Sequence, residues 1–462
     1  MNTQKIFGYG ARNLLCAIAV ILAFAFIACD DGSGDDKTKT DAKTFTVTFD
    51  SDGGSDVDAQ TVTENGKATK PADPTKAWTG TLPAGLHTGM PDSDHFDGWQ
   101  KDGAAYDFNA PVTADITLTA KWTAPNPTPI DLTTRSEANI IAKSVAYINA
   151  DDSETTEYTL VLDADVENVA AITHNKNGVT LEIISVDDTE VVISKGTASG
   201  RVFTVGGTNT TASSAKLVID GNVILQGKAS NNGSVVYVGY GGSLELKGNA
   251  KITGNSTSDQ GGGIQTAGNA TYRVTITMSG NAEISDNTIT TTAAFTRYGG
   301  GIYLMYADLT MSDNAVIKNN TVDNTGPDQT SYGGGVYMNS GSSFTMEGGT
   351  ISGNTVKAYG TGVAQGGGVC ISSFASAYPF TMNGGEISGN AVISENGNAQ
   401  GGGVSIAGVA DCKFVVASEA VKANIKDNTV TRTGTTGSTT GPQVYRGNTN
   451  GFTVGGEAAN SF

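Results

Sequence analysis

Charged residues are scarce in this chain, and basic residues are the scarcer kind. Asp, Glu, Lys and Arg make up 16% of the 462 residues, and 28 basic against 46 acidic side chains leave a formal net charge of −18. A protein of that sign repels the phosphates of nucleic acids and the headgroups of anionic lipids. We therefore expect no nucleic-acid partner.

Histidine is rarer still, with three residues in the whole chain. His87 and His95 fall in a Gly- and Pro-rich loop with three aspartates, where nothing fixes the geometry that a metal ion needs. His174 lies in an early loop with no evident nucleophile beside it. The sequence also lacks a G-G-x-G-x-D calcium repeat and a Gly-Lys-Ser/Thr phosphate loop. We expect no metal, no cofactor and no catalytic residue.

The chain does contain a repeat, marked by a Gly-Gly-Gly-aliphatic step whose copies start 38, 34, 33 and 35 residues apart. The copies are Gly261–Ile264, Gly299–Ile302, Gly333–Val336, Gly366–Val369 and Gly401–Val404. A second marker, Ile-x-x-Asn, recurs in phase with the first: Ile252/Asn255, Ile284/Asn287, Ile317/Asn320, Ile351/Asn354, Ile387/Asn390 and Ile425/Asn428. Two markers locked at one period indicate stacked copies of one structural unit.

Short alternating segments separate the markers. Leu309-Thr310-Met311 and Phe344-Thr345-Met346 place apolar side chains on one face, and Val336-Tyr337-Met338 after a glycine step does the same. Each repeat therefore holds three short strands, with Gly, Asn and Ser at the corners and no helical pattern. We predict an all-β chain whose main part is a right-handed parallel β-helix with three strands per turn. The repeated Asn should stack at one corner.

Two other interpretations compete with the β-helix. Sequence rich in Gly, Ser, Thr and Asn is typical of disorder, but a disordered chain has no reason to keep apolar residues in register over six copies. A β-propeller or sandwich needs hairpin turns between its strands, and the repeat has no four-strand unit.

The four cysteines fall into two groups. Cys16 and Cys29 lie near the N-terminus, and Cys370 and Cys412 lie in the repeat region. On the predicted coil the second pair stands about eight strand positions and one turn apart, beyond the reach of a disulfide. We expect Cys370 and Cys412 to be free thiols.

The N-terminal segment has the pattern of a secretory leader. Lys5 and Arg12 precede an apolar run, residues 14–28, that is short for a membrane span. Its end, Phe26-Ile27-Ala28-Cys29, resembles the lipobox of bacterial lipoproteins. The resemblance implies a signal peptide at 1–28 and lipidation of Cys29, which would anchor the chain to a membrane. Ordinary secretion and an uncleaved anchor are the alternatives. Residues 29–43 then form a disordered tether.

Residues 44–123 form a separate small domain. Phe45–Phe49 and Ile116–Trp122 alternate as strands, and Phe96-Asp97-Gly98-Trp99 lies between them. These segments resemble the Listeria–Bacteroides repeat, also called the internalin B-type repeat. The resemblance implies a compact β-grasp-like module of bacterial surface proteins. The segment from Ala77 to Pro91 is longer than that repeat requires, so we expect it to form a loop of its own.

A Pro-rich linker, residues 124–131, leads to the β-helix, which we place at 132–462. Thr134-x-x-Glu137 has the form of a helix capping box. Apolar residues then follow at helical spacing: Ala138, Ile141, Val145 and Ile148. Since the open end of a solenoid needs a cover, we expect this helix to cap the first turn.

The outer face of the coil offers aromatic rather than acidic side chains. The outward acids Glu283 and Glu386 of the third strand stand three turns apart, roughly 14 Å, which is too far for a glycosidase pair. Tyrosines are more closely grouped and form a possible ligand face: Tyr237, Tyr298, Tyr303, Tyr332 and Tyr337. Such a face can hold a sugar or a protein. More often, an aromatic ladder only stabilises strand pairing.

The unit F-T-M-x-G-G-x-I-S-G-N, at Phe344–Asn354 and Phe380–Asn390, is similar to repeats of polymorphic outer-membrane-type proteins and of β-helix lipoproteins. The resemblance implies a role in the cell envelope. We expect a monomeric, non-catalytic surface protein, anchored by lipid to the outer membrane or cell surface. Its β-helix would serve adhesion to a glycan or a host or matrix protein, or structural display. The alternative is a carbohydrate-binding or polysaccharide-degrading protein, because pectate lyases share this fold.

Overall fold

The computed structural model describes residues 42–78, 82, 84–88, 93–124, 128–130, 140–186, 189–372, 378–406, 412–447 and 452–458. These residues form two compact units. The smaller unit comprises residues 57–72, 100–119 and the described residues up to Asp50. The larger unit comprises residues 51–56, 73–99 and the described residues from Ala120 onward. The predicted leader, Cys29 and the tether up to residue 41 lie outside the described residues.

A five-stranded mixed sheet forms near the N-terminus. Thr44–Asp50 runs antiparallel to Gln60–Thr63 and parallel to Ile116–Thr123, as a β-grasp-like module requires. The order across the sheet is Gln60–Thr63, Thr44–Asp50, Ile116–Thr123, His95–Lys101 and Ala104–Ala105. Alternation along the strands buries Val47, Phe49 and Leu118, while the threonines between them face outward.

The repeat region forms a coil of three long sheets, as predicted. The first sheet consists of Ile172–His174, Phe203–Val205, Val236–Val238, Ile264–Thr266, Ile302–Leu304, Val336–Met338, Val369–Ile371, Val404–Ile406 and Val444–Arg446. The second consists of Thr128–Ile130, Gly85–Thr88, Glu157–Leu162, Thr180–Ser185, Lys216–Ile219, Ser243–Leu246, Val274–Met278, Ala307–Met311, Ser343–Met346, Phe380–Met382, Phe414–Val416, Phe452–Val454 and Glu457–Ala458. The third consists of Val191–Ser194, Val223–Gln226, Lys251–Thr253, Glu283–Ser285, Val316–Lys318, Thr350–Ser352, Glu386–Ser388 and Ile425–Lys426.

One continuous apolar core fills the coil from Leu86 to Val454. Parallel pairing in register places equivalent side chains one above another, which is clearest in the second sheet. There the rings of Phe344, Phe380, Phe414 and Phe452 stack with centroid distances of 4.5, 4.7 and 5.4 Å. Each fully buried ring contributes about 2–3 kcal/mol through the area it removes from water.

The repeated asparagines form the predicted ladder, and all its central members are completely buried. Asn287 Nδ2 donates to Asn320 Oδ1 at 3.0 Å, and Asn320 Nδ2 donates to Asn354 Oδ1 at 3.0 Å. The same bond continues through Asn390 and Asn428, both at 2.9 Å. Each amide also bonds to backbone groups of a neighbouring turn, so these buried polar side chains are satisfied.

Two further sheets lie beside the coil, and the three-strand repeat did not predict them. After each Asn the chain enters a fourth sheet: Ser256–Thr257, Thr288–Thr291, Thr321–Pro327, Thr355–Tyr359, Ala391–Ser394 and Thr429–Arg432. It returns through a fifth sheet to the next glycine step: Arg297–Tyr298, Ser331–Tyr332, Ala364–Gln365, Ala399–Gln400 and Thr439–Thr440. Together these sheets form an arm with a small core of its own around Val356, Ala358 and Val392.

The first turns of the coil are covered by a helix, as predicted. Helix Ile140–Ala150 buries Ile141, Val145 and Ile148 against the core, whereas its predicted capping box lies outside the described residues. A second cover was not predicted. Gly85–Thr88, from the segment expected to form a free loop, pairs antiparallel with Glu157–Leu162. Thr128–Ile130, in the predicted linker, pairs antiparallel with the other edge of Gly85–Thr88. An unpaired edge of a β-helix is prone to association, and these strands cover it.

At the far end the coil closes with short elements. The helix Glu419–Lys422 follows the strand Phe414–Val416, with Ser418 accepting a hydrogen bond at its N-cap. Phe452–Val454 extends the second sheet and pairs antiparallel with Glu457–Ala458. Throughout the described part of the chain, no helix has the length and apolar character needed to cross a bilayer.

Candidate functional site

Four of the five predicted tyrosines form one cluster on the outside of the coil. The rings of Tyr303 and Tyr337, on adjacent turns, stack with centroids 5.7 Å apart. Tyr298 and Tyr332 stack in the same way at 5.5 Å. Tyr303 and Tyr337 are only 7% and 5% exposed, so little of their ring surface is open to a ligand. The fifth sheet, returning to the glycine step, lays Tyr298 against Tyr337, with centroids 4.6 Å apart.

The tyrosine cluster is uncharged and tightly packed. Burial raises the pKa of Tyr332 to about 12 and raises the pKa of Tyr303 and Tyr337 as well. Asn339 Nδ2 donates to Tyr303 Oη at 2.7 Å, so that buried phenol has a partner. Cys370 continues the column and is fully buried against Tyr337. The cluster therefore has the character of a ladder that holds turns together.

Tyr237, the fifth predicted tyrosine, lies apart from this cluster in an open cavity of about 560 Å³. It occupies an outward position of the first sheet, in register with Thr204 on one side and Gln265 on the other. The guanidinium carbon of Arg201 lies 3.9 Å from the centroid of the Tyr237 ring. Arg201 Nη2 donates to Gln265 Oε1 at 3.1 Å. The Arg201 side chain thus crosses the turn that contains Tyr237 and contacts Gln265 on the turn beyond it.

The side wall of this cavity, which we call the Arg201 cavity, is the loop from Gly206 to Ser213. Backbone bonds fix the loop: Gly207 N donates to Tyr240 O at 3.1 Å, and Thr208 N donates to Thr211 O at 2.7 Å. A Cβ on Gly207 would lie 2.0 Å from Thr211 O, so only glycine allows this close approach. The wall is therefore formed before any ligand arrives.

The chemistry of the Arg201 cavity is polar with a single charge. Its lining consists of asparagine, threonine, serine and glycine, one alanine, two tyrosines and one arginine, and it contains no carboxylate. Sequence reasoning identified Tyr237 but missed Arg201, which precedes the glycine-step repeats and so has no counterpart in them. The arrangement suits recognition of a small, hydroxyl-rich ligand that carries negative charge.

A charged network on the second sheet was also missed. Lys247 Nζ lies 2.9 Å from Glu182 and 3.2 Å from Asp220, and Lys216 Nζ lies 2.6 Å from Glu245. Burial raises the pKa of Glu182, which is 2% exposed, in spite of the lysine beside it. Burial would lower the pKa of Lys247, but Glu182 and Asp220 outweigh it and raise the pKa. In the sequence these outward acids are indicated by strand alternation, because Glu182 and Glu245 each lie between two apolar residues, in Leu181-Glu182-Ile183 and Leu244-Glu245-Leu246.

The predicted outward acids of the third sheet are both engaged by lysines of the next turn. Lys318 Nζ lies 2.9 Å from Glu283, and Lys426 Nζ lies 2.9 Å from Glu386. Burial would raise the pKa of Glu283, but hydrogen bonds from Ser285 and Lys318 lower it. Register confirms the predicted three-turn separation, with Val316 and Thr350 between the two acids.

The remaining predicted residues are placed as follows. Cys370 and Cys412 are buried thiols outside any disulfide, as expected, and burial raises the pKa of Cys370. His174 is in the strand Ile172–His174 rather than in a loop, and its Nε2 donates to Val179 O at 3.0 Å. His87 is likewise buried in a strand, because Gly85–Thr88 joins the second sheet. Among the described residues no group of three His, Cys, Asp or Glu side chains is arranged to hold a metal ion.

Two family models match this chain. Residues 183–383 match the right-handed β-helix region, and residues 45–78 and 92–121 match the Listeria–Bacteroides repeat domain. The comparisons with curated proteins and with solved structures gave no match. Together the two families indicate a surface or structural protein. Both assignments had been predicted from the sequence and are confirmed: the chain contains a Listeria–Bacteroides repeat domain followed by a right-handed β-helix region.

Proposed function

We propose that this protein is a lipid-anchored, non-catalytic scaffold of the bacterial cell surface, whose β-helix serves adhesion or structural display. The observation that carries the proposal is the hydrogen-bonded asparagine ladder, which joins successive turns from Asn287 to Asn428 inside an unbroken core. A column of satisfied, buried amides resists bending and local opening, which suits a rod that holds a binding surface away from a membrane.

The anchoring part of the proposal is supported by the N-terminal pattern. Phe26-Ile27-Ala28-Cys29 follows a short apolar run with basic residues before it, and residues 30–43 are almost entirely polar. Lipid on Cys29 and a solvated tether would place the folded part outside a membrane. The membrane is then one partner, and a glycan or a host or matrix protein is the other.

The non-catalytic part is supported by how the acids are used. Glu283, Glu386 and Glu182 each lie within 2.9 Å of a lysine ammonium, and Glu182 is buried. A glycosidase or lyase needs a carboxylate or a base that meets the substrate. These ion pairs instead connect turns of the coil, adjacent ones for Glu283 and Glu386 and turns two apart for Glu182, which is a structural use of charge.

Labelling with radioactive palmitate tests the anchor. The wild-type chain should incorporate label and fractionate with membranes, whereas Cys29→Ala should do neither. Cys16→Ala, which removes the other N-terminal cysteine, is the matched control and should behave as wild type. Protease treatment of intact cells should then degrade the wild-type chain. Label that survives Cys29→Ala, or a chain protected from the protease, would contradict the proposal.

A polysaccharide-degrading enzyme is the second candidate, and one observation favours it. Burial raises the pKa of Glu182, which lies beside Lys247 and Asp220, and a carboxyl group with a raised pKa is what a general acid requires. Depolymerase activity on acidic polysaccharides that disappears in Glu182→Gln but persists in Glu386→Gln would establish the enzyme. The scaffold proposal expects no activity in any of the three chains.

A further inference from the structure

We propose that the Arg201 cavity binds a single sugar residue that carries a carboxylate, whether free or at the end of a glycan. The inference rests on the proposed adhesive role and names the ligand class and the site for it. Three properties of the cavity carry the argument: its isolated charge, the way that charge is held, and the form of its walls.

The charge of the cavity is positive and uncompensated. Arg201 is its one charged lining residue, and no ion pair to Arg201 occurs within the described parts of the chain. The protein as a whole carries a formal charge of −18, so the positive charge of this cavity is opposite in sign to that of the whole chain. A single monoanion would neutralise it, whereas a phosphate dianion would call for a second cation.

The guanidinium is held in one orientation. It lies over the Tyr237 ring at 3.9 Å, and its Nη2 donates to Gln265 at 3.1 Å. Stacking leaves the donors of a guanidinium pointing outward in its own plane, and Gln265 occupies one of them. The remaining donors form the fork that pairs with both oxygens of a carboxylate. Little rotamer freedom is lost on binding, because the side chain is already fixed.

The walls suit the rest of a sugar ring. The hydroxyls of Thr173 and Thr204 come from successive turns of the first sheet, in register with Tyr237. The loop at Gly206–Ser213 supplies threonine and asparagine side chains from the side. Hydroxyl and amide groups bond sugar hydroxyls, and the ring of Tyr240 adds an apolar surface. A volume of about 560 Å³ accommodates one or two sugar rings.

Calorimetric titration of the full chain, purified in detergent, tests the inference with D-glucuronic acid and with D-glucose as its uncharged counterpart. We expect roughly millimolar affinity for the acid, as is usual for a single small ring, and at least about tenfold weaker binding of glucose. Arg201→Gln should reduce binding of the acid to the glucose level. Arg201→Lys should be intermediate, because lysine keeps the charge and loses the fork.

Arg297 provides a matched control, since its guanidinium also lies near an aromatic ring, Phe295, at 5.7 Å, but outside the cavity. Arg297→Gln should bind as wild type, and thermal melting should show all three variants folded. A six-residue oligouronate should bind about as tightly, per molecule, as the single sugar. Equal binding of glucose and glucuronic acid, binding that survives Arg201→Gln, a rise in affinity of more than about tenfold with chain length, or no binding at all would each overturn the inference.

The outcome is independent of the anchor test. A chain that is lipidated and surface-exposed but binds no acidic sugar would refute this inference and leave the scaffold in place. A chain that binds glucuronic acid through Arg201 but is not lipidated at Cys29 would refute the proposed anchoring and leave the site intact.

Discussion

A Cβ atom on Gly335 would stand 3.1 Å from Nδ2 of Asn354 and 2.6 Å from the carbonyl oxygen of Gly368. Gly335 is the last glycine of the step that opens a turn, and Asn354 lies two residues after the third strand of the same turn, Thr350–Ser352. The same close approach occurs between Gly301 and Asn320. The two sequence markers share one period because they meet at one corner, where the glycine leaves the space that the buried amide fills.

Asn354→Ala should lower the free energy of unfolding by roughly 3 kcal/mol. The substitution removes the acceptor for both the side-chain and the backbone N–H of Asn320, and it removes a donor to Asn390. The stranded groups are buried and cannot turn to water. Denaturant unfolding followed by circular dichroism measures the loss.

Asn314→Ala is the matched control for the ladder. Asn314 also donates to an asparagine of the preceding turn, Asn281, at 3.3 Å, but this second row of amides is exposed to solvent. Because water replaces the lost hydrogen bond, we expect the free energy of unfolding to change by no more than about 0.5 kcal/mol. Equal losses in the two variants would show that burial of the amides is not what gives the ladder its strength.

Gly335→Ala should destabilise the protein by about as much as Asn354→Ala, for a steric reason. The φ of Gly335 does not lie in the left-handed region, so the penalty comes from the two contacts of the new methyl group alone. Gly233→Ala is the control, because the nearest atom to its added Cβ is Arg201 Cγ at 3.5 Å, an ordinary contact. Thermal melting should show a clear drop for the first variant and a change within about 1 kcal/mol for the second.

The three coil strands could be predicted because each is tied to a marker of fixed spacing. The arm could not, because the segment between Asn and glycine step varies in length and composition from repeat to repeat. Thr321–Pro327 and Ala391–Ser394 each have a valine two residues after the ladder Asn, and Val322 and Val392 lie in one column of the fourth sheet, but the residues that follow these valines share no common pattern. What holds them is pairing with the neighbouring turn, which is a non-local property.

For the candidate functional residues, too, the sequence pattern predicts some features, and contacts between turns determine the others. The outward position of Tyr303 and Tyr337 follows from strand alternation, but their burial depends on Tyr298 and Tyr332 in the arm. Arg201 reaches Gln265 across an intervening turn, so its role appears only when three turns are stacked. Sequence patterns give the direction of a side chain, whereas its surroundings depend on contacts between distant repeats.

Phe380→Ala should cost roughly 3–5 kcal/mol, because the ring lies between Phe344 and Phe414 in a fully buried column. Phe380→Leu keeps most of the volume and should cost no more than about 1.5 kcal/mol. In a stacked repeat the effect spreads mainly to neighbouring turns, so hydrogen exchange should speed up most in the strands next to Phe380–Met382. Phe295→Ala, at a ring that is 66% exposed, should leave exchange and stability nearly unchanged.

The raised pKa of Glu182 predicts that its contribution to stability changes with pH in the opposite direction to that of a surface carboxylate. Because burial raises the pKa of Glu182, the folded chain holds this proton more tightly than the unfolded chain does. The stability that the proton contributes is complete below the ordinary pKa of 4.5 and is lost as pH rises through the folded value. As pH rises above 4.5, Glu182→Gln should therefore gain stability relative to wild type.

The control for this prediction is Glu386→Gln. Hydrogen bonds from Ser388 and then Lys426 lower the pKa of Glu386, so the stability it contributes is present above 4.5 and is lost as pH falls through the folded value. Glu386→Gln should therefore be less stable than wild type, and the difference in stability should become smaller at low pH. Thermal midpoints measured across this range distinguish the two signs. If the thermal midpoints of Glu182→Gln and wild type differ by the same amount at every pH, the pKa of the buried carboxyl group is the same in the folded and unfolded chains.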